Sequence, residues 1–180
     1  MPNWVYNSLT IHDTMDNLKK ISENLSKSYK TYYSDNPKNE IKEEIYESKF
    51  SFWNVIKPDD KILNKYFTTC DSIGMADPNN WYHWNVNNWG CKWDAGSVEV
   101  DLNEKDKCLY YHFDTAWNPP IPVIKELAKQ YPTASISFGY EEETGWGGEM
   151  DFEKGELVHE EEYEADPDFY EEEDEIPQGN

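Results

Sequence analysis

Arginine is missing from all 180 residues, and the sixteen basic side chains are lysines. The side chain best suited to two-pronged contact with phosphate is therefore unavailable. Acids outnumber the lysines 37 to 16, for a formal net charge of −21. Together these features argue against direct binding of DNA or RNA. Cysteine is scarce and odd in number. Cys70, Cys91 and Cys108 fit neither a disulfide framework nor a paired metal knuckle, which points to a reduced, cytoplasmic setting. No apolar run reaches the roughly 18 residues of a membrane span, and the opening MPNWVYNSLT lacks the basic-then-apolar order of an export signal. No membrane association is expected.

What the chain has instead is aromatic mass and clustered acid. Eight Trp, thirteen Tyr and seven Phe are the stock from which a core is built. Between Glu141 and Glu175, eighteen acids face one lysine, Lys154, so these 35 residues carry −17 of the −21. A dense field of one sign steers and selects oppositely charged partners.

Trp4 to Ile11 is β-rich, with Val5, Asn7, Leu9 and Ile11 on one face of a strand. Asp13 or Thr14 then caps a helix carrying Met15, Leu18, Ile21 and Leu25 near the helical period. Ser26 to Glu47 is a polar surface excursion without an apolar stripe, followed by an anchored FSFWNVI and a short helix over Lys61 to Tyr66. WYHWNVNNW predicts a helix stopped by Gly90. SVEVDL turns Val98, Val100 and Leu102 inward and pairs with CLYYHFDT as a hairpin. Ile124, Leu127, Ala128 and Tyr131 mark a helix that Pro132 ends; Ala134, Ile136, Phe138 and Tyr140 mark the next strand. Gly147 to Phe152 and Glu156 to Tyr163 flank Lys154-Gly155 as a further hairpin. The order is that of a split βαβ. The fold class expected is α+β: a ferredoxin-like sandwich over residues 1–163, with a polar and aromatic insertion at about 26–95 and an extra C-terminal β-hairpin. Residues 164–180 read as an acidic, flexible tail.

Two groups of residues carry candidate chemistry. The acids Glu141, Glu142, Glu143, Glu149, Asp151, Glu153, Glu160, Glu161 and Glu162 fall on strands and turns, where like charges opposite one another cost stability. A fold that tolerates such crowding is expected to use it for binding a basic partner, with the tail adding long-range attraction. The alternative site is a small-ligand or nucleotide pocket, or a hydrolase, built from Trp81, His83, Trp84, Trp89, His112 and Asp114. For the tryptophans, core packing is the simpler reading. No metal-ligand spacing, nucleophile elbow, phosphate loop or deaminase signature occurs, so no cofactor and no metal is expected, and the chain is read as non-enzymatic.

The phrases PNWVYNSLTI, FSFWNVIKP, WYHWNVNNWGCKWDA, FDTAWNPPIPVIKELAKQYP and SFGYEEETGWGGEMDFEKGE together resemble the YubB-type ferredoxin-like domain proteins of phages, prophages and plasmids. The resemblance implies a ferredoxin-like fold and a mobile-element origin, and it brings no catalytic residues with it. In that setting the expected partner is a host protein with a basic surface, such as a nuclease or other defence protein, inhibited by an acidic surface that mimics nucleic acid.

Overall fold

A computed structural model describes residues 3–33, 42–67 and 78–164. Cys70 and the tail expected over Asp166 to Asn180 lie outside these residues.

The first alternation becomes β1 (Trp4–His12), with Val5, Leu9 and Ile11 covered and Tyr6, Ser8 and His12 open to solvent. Thr14 caps α1 (Met15–Leu25), its hydroxyl accepting the Asn17 N–H at 3.4 Å. Asp13 braces that turn as acceptor from the Thr14 N–H, Asn17 Nδ2 and Thr133 Oγ1. Partial burial raises its pKa, but these three hydrogen bonds outweigh it and the net shift is downward. Leu18, Ile21 and Leu25 of α1 are buried, each contributing about 1.5–3 kcal/mol by removal from water.

The polar excursion holds more order than its sequence predicts. It forms a two-stranded ribbon of β2 (Tyr29–Tyr33) and β3 (Lys42–Tyr46). An aromatic tether replaces the missing apolar stripe: the Tyr29 ring stacks on Trp53 at 4.8 Å and 9°. A turn of 3-10 helix (Phe52–Asn54), α2 (Leu63–Phe67) and α3 (Trp81–Trp89) follow. Gly90 ends α3 at φ 85°, and a Cβ there would lie 2.9 Å from the Pro122 ring. Glycine therefore serves both the left-handed backbone and the close approach.

Asp94 ties this segment to the sheet. Its carboxylate accepts from Ser51 Oγ at 2.5 Å, the Phe52 N–H at 2.7 Å, the Ala95 N–H at 2.8 Å and the Tyr29 hydroxyl at 3.3 Å. The residue keeps some exposed surface, but the carboxylate itself lies in dense surroundings, and desolvation raises its pKa against the pull of those four donors. Burial, with the Asp94 charge adding to it, pushes the Cys91 thiol up and holds it protonated.

Next come β4 (Gly96–Asn103), β5 (Cys108–Ala116), α4 (Ile121–Gln130), β6 (Ser135–Glu142), β7 (Gly147–Glu153) and β8 (Glu156–Tyr163). The sheet order is β4-β5-β1-β6-β7-β8, with every neighbouring pair antiparallel. The first four strands with α1 and α4 are a ferredoxin-like domain, and the β7–β8 hairpin widens its sheet beyond β6. Leu18, Ile21, Val123, Ile124 and Leu127 of the helices join Val5, Leu9, Tyr111, Phe113, Ile136 and Phe138 of the strands in one core. Both helices therefore cover the same side of the sheet.

Candidate functional site

Strand alternation sends every second residue away from that core, and the register aligns those residues into rungs across the uncovered face. One rung runs Glu99, His112, Ser8, Gly139, Glu149, Glu161. Beside it runs Asp101, Tyr110, Thr10, Ser137, Asp151, His159. The third runs Asp114, Tyr6, Glu141, Gly147, Tyr163. The middle of the face is floored by small polar groups, Ser8, Thr10, Ser137 and Gly139. Two adjoining depressions of about 280 and 180 Å³ meet at Ser8 and Gly139. Carboxylates stand on both sides, Glu99 and Asp101 toward one edge and Glu149, Asp151 and Glu161 toward the other.

The charge on this face is one-sided. None of the six strands contains a lysine. The lysines sit on α1 (Lys19, Lys20), on α4 (Lys125, Lys129), in the segment before β4 and in hairpin turns. Among the described residues no lysine forms an ion pair with a rung carboxylate. Glu149 and Glu161 face each other directly across β7 and β8, an arrangement that costs stability. Beside them stands His159, whose Nε2 lies 3.7 Å from Glu149 and 3.9 Å from Glu161. These three side chains are also the one His and carboxylate group among the described residues that could hold a metal ion, and all three are exposed.

The nine acids singled out in the sequence separate into three environments. Glu141, Glu149, Asp151 and Glu161 share the open face, and Glu153 continues it at the hairpin turn. Glu160 and Glu162 alternate to the opposite side, where Glu160 lies 3.9 Å from Lys125 of α4 and Glu162 accepts from the Tyr140 hydroxyl at 3.5 Å. Glu143 is exposed in the turn after β6. Glu142 is only 2% exposed and does not belong to a binding surface. Its carboxylate accepts from the Thr144 hydroxyl at 2.5 Å and the Thr144 N–H at 2.7 Å. These hydrogen bonds, the hydroxyl first, outweigh desolvation and lower its pKa.

The alternative pocket is not assembled. Trp84 and Trp89 are buried, with Trp89 edge-on to Phe52 and its Nε1 donating to the Ile56 carbonyl at 2.9 Å. Phe52 in turn packs on Phe113 of β5. His112 and Asp114 flank Phe113 in the strand and point to the other side of the sheet. Trp81 and His83 are half-buried on α3, away from that face. Glu99 and Asp101 lie on this face without having been singled out in the sequence, and Asp114, grouped there with the tryptophans, lies on it as well. The SVEVDL alternation turned Glu99 and Asp101 outward, but only the sheet order puts β4 on the same surface as β7 and β8.

A match to a known family falls on the second half of the chain. Residues 89–177 match the family model of the ferredoxin-like domain in Api92-like protein. The Api92-like match takes in β4 to β8 and α4, whereas β1 and α1 of the same sheet and core come from outside it. A crystal structure of protein api92 from Yersinia pseudotuberculosis is similar at 23% identity and a TM-score of 0.42, over 49% of this chain and 32% of that one. The chain thus spans about a third of the length of that protein. No curated protein matches the chain. No described helix is long and apolar enough to cross a membrane.

Proposed function

We propose that the protein is a non-enzymatic binding module whose open sheet face captures a basic protein surface. One observation carries this reading. Rung carboxylates stand on five of the six strands while lysine is absent from all six. Such a face presents fixed negative charges over a polar floor, and these steer and align a cationic partner. The YubB-type resemblance supplies a concrete form: a phage or plasmid protein acting in the host cytoplasm, its acids standing in for nucleic-acid phosphates in the groove of a nuclease or other defence protein.

The test uses purified basic nucleic-acid-binding proteins, nucleases included, immobilised and probed with the full chain. Capture should be competed by duplex DNA and weaken sharply as the Debye length falls from about 10 Å at 0.1 M salt to about 3 Å at 1 M. Glu99→Gln, Asp101→Asn, Glu149→Gln, Asp151→Asn and Glu161→Gln in combination should abolish it, while Glu160→Gln with Glu162→Gln should leave most of it. Capture indifferent to the five open-face changes would refute the reading.

A further inference from the structure

We infer that β8 is a docking edge, which an extended basic segment of a partner joins as a seventh strand. This rests on the acidic-face reading and names how the partner is held. β8 ends the sheet, and all eight of its residues are exposed. Among the described residues its outer edge pairs with no strand, so a row of backbone donors and acceptors stands ready for another chain. The two edges of the sheet differ in cover: β4 mixes half-buried and exposed residues, while β8 is exposed throughout. β4, at the far edge, is broken by a register shift between Gly96 and Glu99, with Ser97 at φ 51°, a bulge that spoils pairing. β8 carries one bulge as well, at Val158, which is left unpaired between Leu157 and His159, and runs in register from His159 to Tyr163.

The side chains of β8 define what fits. Glu156, Glu160, Glu161 and Glu162 stand with three exposed apolar groups, Leu157 at 39%, Val158 at 57% and Tyr163 at 45% exposure; by register Glu156, Glu161 and Tyr163 lie on the open face and Leu157, Glu160 and Glu162 on the helix side. A second copy of this chain pairing edge to edge would set these glutamates against their own kind. An incoming strand of alternating lysine and apolar residues meets the reverse situation: its lysines, all on one side, oppose Glu156 and Glu161 on the open face, and its apolar residues meet Leu157 on the helix side. Main-chain hydrogen bonds then give affinity, and the charges give selection.

The probe is an eight-residue peptide alternating lysine and valine, compared with the same peptide N-methylated at every backbone amide. The two share charge and side-chain order, but the second has no backbone donor on either edge and cannot extend a sheet. With the full-length protein, the unmodified peptide should bind at least tenfold more tightly and slow hydrogen exchange across residues 156–163. Val158→Pro should erase that preference. Leu157→Lys with Val158→Lys should weaken the unmodified peptide more than tenfold, and this pair serves if the proline variant fails to fold. Equal binding of both peptides without protection of 156–163 overturns strand addition and leaves the acidic face standing. If neither peptide binds at low salt, both proposals fall.

Discussion

Neighbouring residues of β5 belong to two different surfaces. Tyr111 and Phe113 face the helices and are buried among Phe50 and Phe52, whereas Tyr110, His112 and Asp114 face outward among Ser8, Thr10 and Tyr6. The inner surface is aromatic and hydrocarbon, sealed by α1, α4 and the Trp-rich segment. The outer surface is polar at its centre and acidic at its margins, with Trp93 packed on Trp4 at one end. One strand thus spends alternate side chains on holding the fold and on presenting charge, and stability and binding should respond to opposite sets of substitutions.

The comparison breaks most visibly within β5 itself. Phe113→Ala should cost about 3–5 kcal/mol, as for other buried aromatics truncated in a core, while His112→Ala next to it should stay within about 0.5 kcal/mol. Urea denaturation of the two variants checks this, and similar losses would mean that the outer face is also packed.

Asp94 comes next, because it belongs to the inner system although it is charged. Asp94→Ala removes the acceptor of two backbone N–H groups and two hydroxyls, for a loss of about 3 kcal/mol. The pH dependence has a definite sign. Its pKa is raised in the fold above the ordinary 3.8, so the folded state holds the proton more readily than the unfolded one. Asp94 therefore makes stability fall as pH rises from about 4 through the raised value. Asp94→Asn should remove that slope in thermal melts taken between pH 3.5 and 7.

Two glycines of the open face differ at a smaller scale. A Cβ on Gly147 would sit 2.3 Å from the Tyr140 carbonyl oxygen and 2.5 Å from the Tyr163 hydroxyl, whereas one on Gly139 meets only Ser8 Oγ at 3.0 Å. Backbone cannot yield as a hydroxyl can. Gly147→Ala should cost about 1–3 kcal/mol and Gly139→Ala less than about 1 kcal/mol, read from the same melts. The smallest effect is expected for Glu149→Gln with Glu161→Gln. Relieving a directly opposed like-charge pair should gain up to about 0.5 kcal/mol while weakening capture of a basic partner.

Much of this architecture is legible in the sequence. The alternation of Val5, Leu9 and Ile11, the period of Leu18, Ile21 and Leu25, and the hairpin pairing of SVEVDL with CLYYHFDT all follow from local pattern. Tyr29 to Tyr46 was not legible as a ribbon, because its order comes from Trp53, a contact made by a later segment. The site was legible only in part. A charge run read along the chain counts Glu141, Glu142 and Glu160 to Glu162 as one cluster, but a strand distributes neighbours to opposite sides and a turn can bury one of them. Conversely, Glu99 and Asp101 are distant in sequence from the acidic run and share its surface only through the order of the strands. His112 and Asp114 were grouped with the tryptophans by residue type, and the sheet stands between them.

The most direct test of the open-face account is a footprint. Amide and side-chain NMR shifts would be followed while the full chain is titrated with a captured basic protein. Changes should concentrate at Tyr6, Ser8, Thr10, Tyr110, His112, Gly139, Glu149 and Glu161, with α1 and α3 unmoved. Changes confined to α1, α3 or the β2–β3 ribbon, with the rung residues unmoved, would contradict it.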